Sequence, residues 1–255
     1  EMAYKLETVD RIGTQSSKWD GLQTMFHEDG LLAMWVADMD FKCPQVAIDA
    51  IQERVDHGIF GYNLCANTYN EAFVKWEKEQ HGYDVNIDHV SYSAGIVPGI
   101  NWAVNCFTEE MDAIIIATPC YYPFGLAARN NNRRLISCDM IYDGKTWKLD
   151  MARFEQDIKN NGVKMYILSS PHNPGGRVWT EEELDAQLRI CQENNVMVIS
   201  DEIHQDLVMP GFKHIPSAIV SGKKYAQNII TFAAPSKTFN LAGFATSSVI
   251  IENDD

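Results

Sequence analysis

A lysine, a carboxylate, an amide and a glycine turn each stand just behind an apolar run in this chain. Lys237 lies in Pro235-Ser236-Lys237-Thr238-Phe239-Asn240, behind Ile229-Ile230-Thr231-Phe232. An ammonium is costly to bury at the inner end of such a run. A lysine placed there suits Schiff-base chemistry; a solvated loop lysine is the plain alternative. Asp201-Glu202-Ile203-His204 follows Val196-Met197-Val198-Ile199-Ser200. A carboxylate at the end of a buried strand can manage magnesium and water in an NTPase, pair with a protonated pyridine nitrogen, or cap the next element. The NTPase reading needs G-x-x-x-x-G-K-[ST]. The Gly144-Lys145-Thr146 triplet has Asp139, not glycine, five residues before Gly144, and Trp147-Lys148-Leu149-Asp150 does not open a phosphate-facing helix, so that reading is set aside.

Two further segments have the same placement. Pro171-His172-Asn173-Pro174-Gly175-Gly176 is a stiff polar loop that offers the Asn173 amide, or else a surface turn. In Ser93-Ala94-Gly95-Ile96-Val97-Pro98-Gly99 a strand ends, glycine turns the chain and a helix begins. The free N–H groups of such a helix start bind phosphate well, although turns of this kind are common without a ligand.

These segments need a scaffold that brings them together. Strand-like runs are predicted at 89–93, 113–118, 134–138, 164–169, 196–200, 228–233 and 246–252. Helices separate most of them, among them 97–107 and 181–194, the second with Thr180-x-x-Glu183 as a capping box. Ala113-Ile114-Ile115-Ile116-Ala117 is apolar on both faces, as a central parallel strand covered by helices should be. The alternation predicts an α/β fold with a mostly parallel sheet flanked by helices. Ligands bind beyond the carboxyl ends of such strands, so Gly95, Tyr121, Asn173, Asp201 and Lys237 are expected to converge on one crevice. Upstream, residues 1–40 read as irregular, interrupted by Gly13, Gly21 and Gly30. A helix follows Pro44, with Val46, Ala47, Ala50, Ile51 and Val55 on one face and Gly58 as its stop; Pro44 suits its first turn. A second helix is expected over 69–80, ending near Gly82.

Together these segments resemble the fold-type I enzymes dependent on pyridoxal 5′-phosphate (PLP), the aminotransferase class I/II superfamily. The resemblance rests on S-P-H-N-P-G-G, S-D-E-I-H and P-S-K-T-F-N-L-A-G, in that order. Leu32-Ala33-Met34-Trp35-Val36-Ala37-Asp38-Met39-Asp40-Phe41, Phe60-Gly61-Tyr62-Asn63 and Ala94-Gly95-Ile96-Val97-Pro98-Gly99-Ile100 look like the cystathionine β-lyase/cystalysin-like C–S lyase branch. The resemblance implies that Lys237 carries PLP as a Schiff base and shuttles the Cα proton. It implies that Asp201 pairs with the pyridinium nitrogen, Asn173 bonds the ring hydroxyl oxygen and Tyr121 stacks on the ring. Gly95, Ile96, Val97 and Ser236 would hold the phosphate. His204 would support Asp201 or the cofactor, or is simply packed. Tyr62 would reach the phosphate of a neighbouring subunit, implying a homodimer. Trp35 could line the pocket or anchor structure, and Asp38 and Asp40 have no derivable role.

The implied reaction is α,β-elimination from a cystathionine- or cysteine-type amino acid, giving pyruvate, ammonia and a thiol. An aminotransferase, or a catalytically weak PLP-binding or regulatory protein, are the alternatives. Residues 1–45 would be an N-terminal segment and 46–255 the PLP-binding large domain. The resemblance further implies a smaller C-terminal domain carrying the arginine that grips the substrate carboxylate. No arginine follows Arg189, so the chain is expected to be a fragment that binds PLP but turns substrate over poorly.

Composition sets outer bounds. The 255 residues are 45% hydrophobic and 22% charged, enough for a sizeable core. A net charge of −14 argues against nucleic acid and anionic membrane surfaces as partners. The six cysteines, Cys43, Cys65, Cys106, Cys120, Cys138 and Cys191, form no C-x-x-C pair and no zinc spacing, so no metal is expected. They read as buried reduced thiols of a cytoplasmic protein.

Overall fold

The computed structural model describes residues 6–62 and 67–253, which leaves Asn63 and Cys65 outside the described residues. The chain forms two compact units, Glu1–Cys65 with Pro235–Phe244, and Ala66–Ala234 with Ala245–Asp255.

The first unit holds helices α1 (Ser17–Asp20), α2 (Leu22–Phe26) and α3 (Gln45–His57). The stretch expected to be irregular therefore contains two short helices. It is organised around charge. Arg11 bonds Asp38 through both terminal nitrogens, at 2.9 and 2.7 Å, and Asp40 at 3.0 Å. The buried Lys18 bonds Asp40 at 2.8 Å, and the Trp19 indole reaches the same carboxylate at 2.9 Å. These donors, Lys18 first, hold the Asp40 carboxyl down to about 2. Trp35 is an anchor here: its indole donates to Lys18 O at 3.0 Å and its ring meets Phe26 edge-on. Pro44 stands one position earlier than expected, as the N-cap of α3, and Gly58 closes that helix at φ +72.

The second unit is the sheet. Its longer helices are α4 (Asn67–Trp76), α5 (Ile96–Phe107), α6 (Tyr122–Asn130), α7 (Met151–Asn161) and α8 (Glu181–Glu193). Its strands are β1 (Val90–Ser93), β2 (Ala113–Thr118), β3 (Arg134–Asp139), β4 (Ile141–Tyr142), β5 (Trp147–Lys148), β6 (Val163–Ser169), β7 (Met197–Asp201), β8 (Ile229–Ala233) and β9 (Ser247–Ile251). Seven of them form one sheet in the order β1-β9-β8-β7-β6-β2-β3, while β4 and β5 make a separate hairpin. The pairs β3–β2, β2–β6, β6–β7 and β7–β8 are parallel, and β9 runs against both its neighbours. The seven expected runs are these seven strands, within a residue at most ends.

Alternation along each strand splits the core into two layers. Ala113, Ile115, Ala117, Tyr166, Leu168 and Val198 pack with Phe154 and Ile158 of α7 and Leu184 and Leu188 of α8. Ile114, Ile116, Ile167, Ile199, Ile230 and Phe232 pack with Ile100 and Val104 of α5 and Phe124 of α6. Both faces are thus covered, which is why β2 is apolar throughout. α8 begins on the expected box: Glu183 N–H donates to Thr180 Oγ1 at 3.2 Å, and Thr180 N–H to Glu183 Oε2 at 2.9 Å. α4 stops at Trp76 and the chain continues as a π-helical turn over Glu77–His81. Cys138 and Cys191 are buried as expected, but Cys106 is exposed on the outer face of α5. Among the described residues no helix is long and apolar enough to cross a membrane.

Beyond β7 a polar cluster is sealed inside this unit. The Glu202 carboxylate, 0% exposed, accepts from Ser200 Oγ at 2.8 Å, Ser217 N–H at 2.9 Å and His214 Nε2 at 2.9 Å. Nearby, Gln205 Nε2 donates to Glu77 Oε1 at 2.6 Å and His81 Nε2 bonds Asp206 at 2.7 Å. Burial pushes Glu77 up to about 7, against the opposing pull of Gln205 and His81. Its folded pKa lies above the ordinary 4.5, so the folded chain binds this proton more tightly than the unfolded chain. The stability it contributes is full below about pH 4.5 and is lost as pH rises through about 7. Glu77→Gln should therefore raise stability above neutral pH, by ~1–3 kcal/mol at pH 8. Thermal midpoints of both proteins followed from about pH 5 to 8 check this: the parent should fall relative to the variant.

Candidate active site

In the sheet unit the carboxyl ends of β1, β2, β6, β7 and β8 share one edge. Ser169 at the end of β6 pairs with Asp201 at the end of β7, and Asp201 pairs with Phe232 of β8. From β2 the chain moves outward to β3 on one side, while β6 leads to β7 and β8 on the other. The junction of β2 and β6 is therefore the switch point at which α/β sheets open a ligand crevice.

Gly95 follows β1 at φ +95, ψ 156, a backbone state closed to most side chains. A Cβ there would come no nearer than 3.7 Å to Pro98, so the angle rather than crowding requires glycine. The Ser93 hydroxyl donates to Gly95 O at 2.8 Å and steadies the turn. α5 then starts, and the N–H groups of Ile96 and Val97 lie in its first turn, where no helical acceptor exists. Pro98 has no N–H to offer. α5 is set hard against β8: a Cβ on Gly99 would lie 2.4 Å from the Phe232 ring.

Tyr121 caps α6 just past β2, half-buried, with its ring edge-on to Phe124 at 5.8 Å. Tyr122 points away, 72% exposed. Burial, then Tyr122 and then Asp201, raise the Tyr121 phenol, so it stays neutral at physiological pH and senses the Asp201 charge. Burial also pushes the Cys120 thiol up to about 11, which disqualifies it as a nucleophile.

Asn173 is half-buried after β6, its N–H held by Ser169 Oγ at 3.1 Å. The preceding His172 is buried against Trp179 and accepts from Gly175 N–H at 3.1 Å; burial lowers it to about 4, so it is neutral. Asp201 is 6% exposed at the end of β7, and its Oδ1 accepts from Ile203 N–H at 3.1 Å. His204 is half-buried and lines a cleft of about 1040 Å³ with Asn173, Arg177, Trp179, Met209 and Phe212.

Lys237, Ser236 and Tyr62 belong to the first unit. Lys237 is half-buried and its Nζ donates to Ala37 O at 2.8 Å. Ser236 is buried in a turn closed by Leu241 N–H to Ser236 O at 2.9 Å. Tyr62 is fully exposed. The sheet unit thus gathers Gly95, Ile96, Val97, Tyr121, Asn173, Asp201 and His204 at or near its carboxyl edge, and the first unit presents the lysine in a fixed turn. The sequence reading passed over two groups. Asn240 holds the 37–41 segment, and its signal was an asparagine ending the lysine motif. Glu202 carries no mark to separate it from Asp201 except strand alternation, which turns it to the opposite side. Among the described residues no group of three or more His, Cys, Asp or Glu is placed to hold a metal ion.

Residues 32–254 match the sequence profile of the family described as aminotransferase class I and II. The chain belongs to that family. It is 40% identical over 242 residues to cystathionine beta-lyase PatB of Bacillus subtilis, covering 95% of this chain and 62% of that protein. It is 32% identical over 248 residues to protein MalY of Escherichia coli, covering 97% and 63%. The crystal structure of cystalysin from Treponema denticola, which contains a pyridoxal 5′-phosphate cofactor, superposes with a TM-score of 0.92 at 37% identity, over 100% of this chain and 65% of that one. The chain therefore spans somewhat under two thirds of the length of these relatives.

Proposed function

We propose that this chain is the cofactor-binding part of a PLP-dependent carbon–sulfur β-lyase. Its substrate would be a cystathionine- or cysteine-type amino acid, and its products pyruvate, ammonia and a thiol. The observation that carries the reading is the buried Asp201 carboxylate at the carboxyl end of β7, on the sheet edge that also places Tyr121 at the start of α6. A phosphorylated pyridinium needs an anion cradle, a carboxylate for its ring nitrogen, an aromatic face and a covalent amine. The N-terminus of α5, Asp201, Tyr121 and Lys237 are groups of those four kinds, so the donor set fits. The likeness to cystathionine beta-lyase PatB supports elimination over transamination.

Bound PLP supplies an electron sink for the charge that develops at the substrate Cα. Asp201 keeps a proton on the ring nitrogen, which deepens that sink. The Asn173 amide would donate to the ring hydroxyl oxygen, and Tyr121 would pack on the ring face. The Ile96 and Val97 N–H groups behind Gly95 would hold the phosphate, a role the Ser236 hydroxyl would share. His204 supports Asp201 from the next turn of chain. Lys237 Nζ would anchor the cofactor and, when not so engaged, would take the proton from the substrate Cα. The C–S bond then breaks with its electron pair on sulfur, and a proton returned to that sulfur completes the thiol. Water converts the released three-carbon enamine to pyruvate and ammonia. The protein would work as a cytoplasmic homodimer in which the exposed Tyr62 would reach the phosphate held by the neighbouring subunit.

Pyruvate release from cystathionine, measured with and without a keto-acid acceptor, tests the reaction. Release from this chain is expected to be slow and independent of the acceptor. Substrate consumption that requires the acceptor would assign transamination instead.

A further inference from the structure

The lysine turn and the 37–41 segment of the first unit are tied together by one side chain. Asn240 Oδ1 accepts from Met39 N–H at 3.0 Å, while its Nδ2 donates to Met39 O at 3.0 Å and Phe41 O at 2.9 Å. Asn240 sits at φ +57, a left-handed state that asparagine tolerates better than most residues. Two residues before Met39, the Ala37 carbonyl accepts from Lys237 Nζ at 2.8 Å.

The same segment is fixed from its other side. Asp38 and Asp40 are held by Arg11 and Lys18, and Val9 N–H donates to Asp40 O at 2.9 Å. The 37–41 backbone is thus a rigid bar. One end meets the lysine amine and the other meets an amide three residues further along the lysine's own turn. Neither aspartate touches Lys237 in these contacts; both act on it only through the backbone between them.

We propose that Asn240 is a positioning residue for Lys237: its amide clips Met39 and Phe41 so that the Ala37 carbonyl stands as the resting acceptor of the lysine amine. This rests on the reading of Lys237 as the amine that anchors the cofactor. The clip acts through Ala37. It keeps the amine in one place whenever that amine is not covalently engaged, which spares the entropy of finding it again at each turnover.

The test needs no cofactor. The chain, free of PLP, is trace-labelled with acetic anhydride, and acetylation of Lys237 is read by peptide mass spectrometry relative to the exposed Lys145 of the other unit. Asn240→Gly removes the amide while accepting the left-handed backbone. Asn240→Asp keeps the shape but turns a carboxylate oxygen toward the Met39 and Phe41 carbonyls. The Ala37 carbonyl accepts an N–H and so favours the protonated amine; losing that acceptor raises the share of neutral amine open to acylation. Relative labelling of Lys237 should rise about threefold or more, the effect of losing one hydrogen bond at the low end of its usual net worth. Circular dichroism selects the variants that keep native structure. A smaller rise in a folded variant overturns the proposal. So does loss of the fold in both variants, since the clip would then hold the unit rather than the lysine. The outcome is independent of the cofactor reading. Unchanged labelling in a chain that binds PLP sinks the clip alone, and raised labelling in a chain that does not bind PLP sinks only the cofactor role.

Discussion

Lys237→Ala should abolish covalent attachment of PLP to the chain and remove the visible absorbance band of the lysine-bound cofactor. The site is a half-buried turn in which Lys237 Nζ is fixed on Ala37 O at 2.8 Å. Turnover by the proposed lyase should fall by roughly 10²–10⁴-fold from the lost proton transfer alone. Non-covalent binding should weaken but persist. The N-terminus of α5, the Asp201 carboxylate and the Tyr121 ring do not depend on the lysine. Absorbance spectroscopy with equilibrium dialysis separates the two effects. A visible band of parental intensity in the variant would mean that another lysine carries the cofactor.

Glu202→Ala should be strongly destabilising. The carboxylate is fully enclosed and receives three donors, Ser200 Oγ, Ser217 N–H and His214 Nε2. His214 is itself buried, so alanine would strand several polar groups away from water at once. Breaking a buried pair from one side costs about 3–5 kcal/mol. For a chain of this size that corresponds to a fall of roughly 6–20 °C in thermal midpoint. Thermal unfolding followed by circular dichroism measures it. A fall of less than about 2 °C would show that water or neighbouring side chains repair the site. The consequence reaches the candidate site, because Glu202 follows Asp201 directly and its N–H donates to Phe232 O at 2.8 Å, locking the end of β7 to β8.

The sheet was legible in the sequence because buried parallel strands leave continuous apolar runs, and all seven runs became strands. Their order was not legible. Nothing in Ser247-Ser248-Val249-Ile250-Ile251 says that β9 inserts between β1 and β8 and runs against both. That choice is made by long-range pairing. The candidate site could be read wherever a residue type, a strand end and a turn coincide, as at Gly95, Asn173, Asp201 and Lys237. It was hidden where function passes through backbone. Asp38 and Asp40 carry obvious charge yet work by holding a segment whose Ala37 carbonyl, invisible in any sequence, meets the lysine. Of Tyr121 and Tyr122, the sequence could not say which turns inward; the packing of Phe124 decides for Tyr121. Glu202 and His214 lie twelve residues apart along the chain, and only the fold makes them a pair.

The central claim is that Lys237 is the amine that holds PLP. It is tested most directly by incubating the chain with PLP, reducing with borohydride and mapping the pyridoxyl group by peptide mass spectrometry. The label is expected on Lys237, near one per chain, with the other lysines marked only in traces. A stoichiometric label on any other lysine, or no label after reduction, would contradict the account.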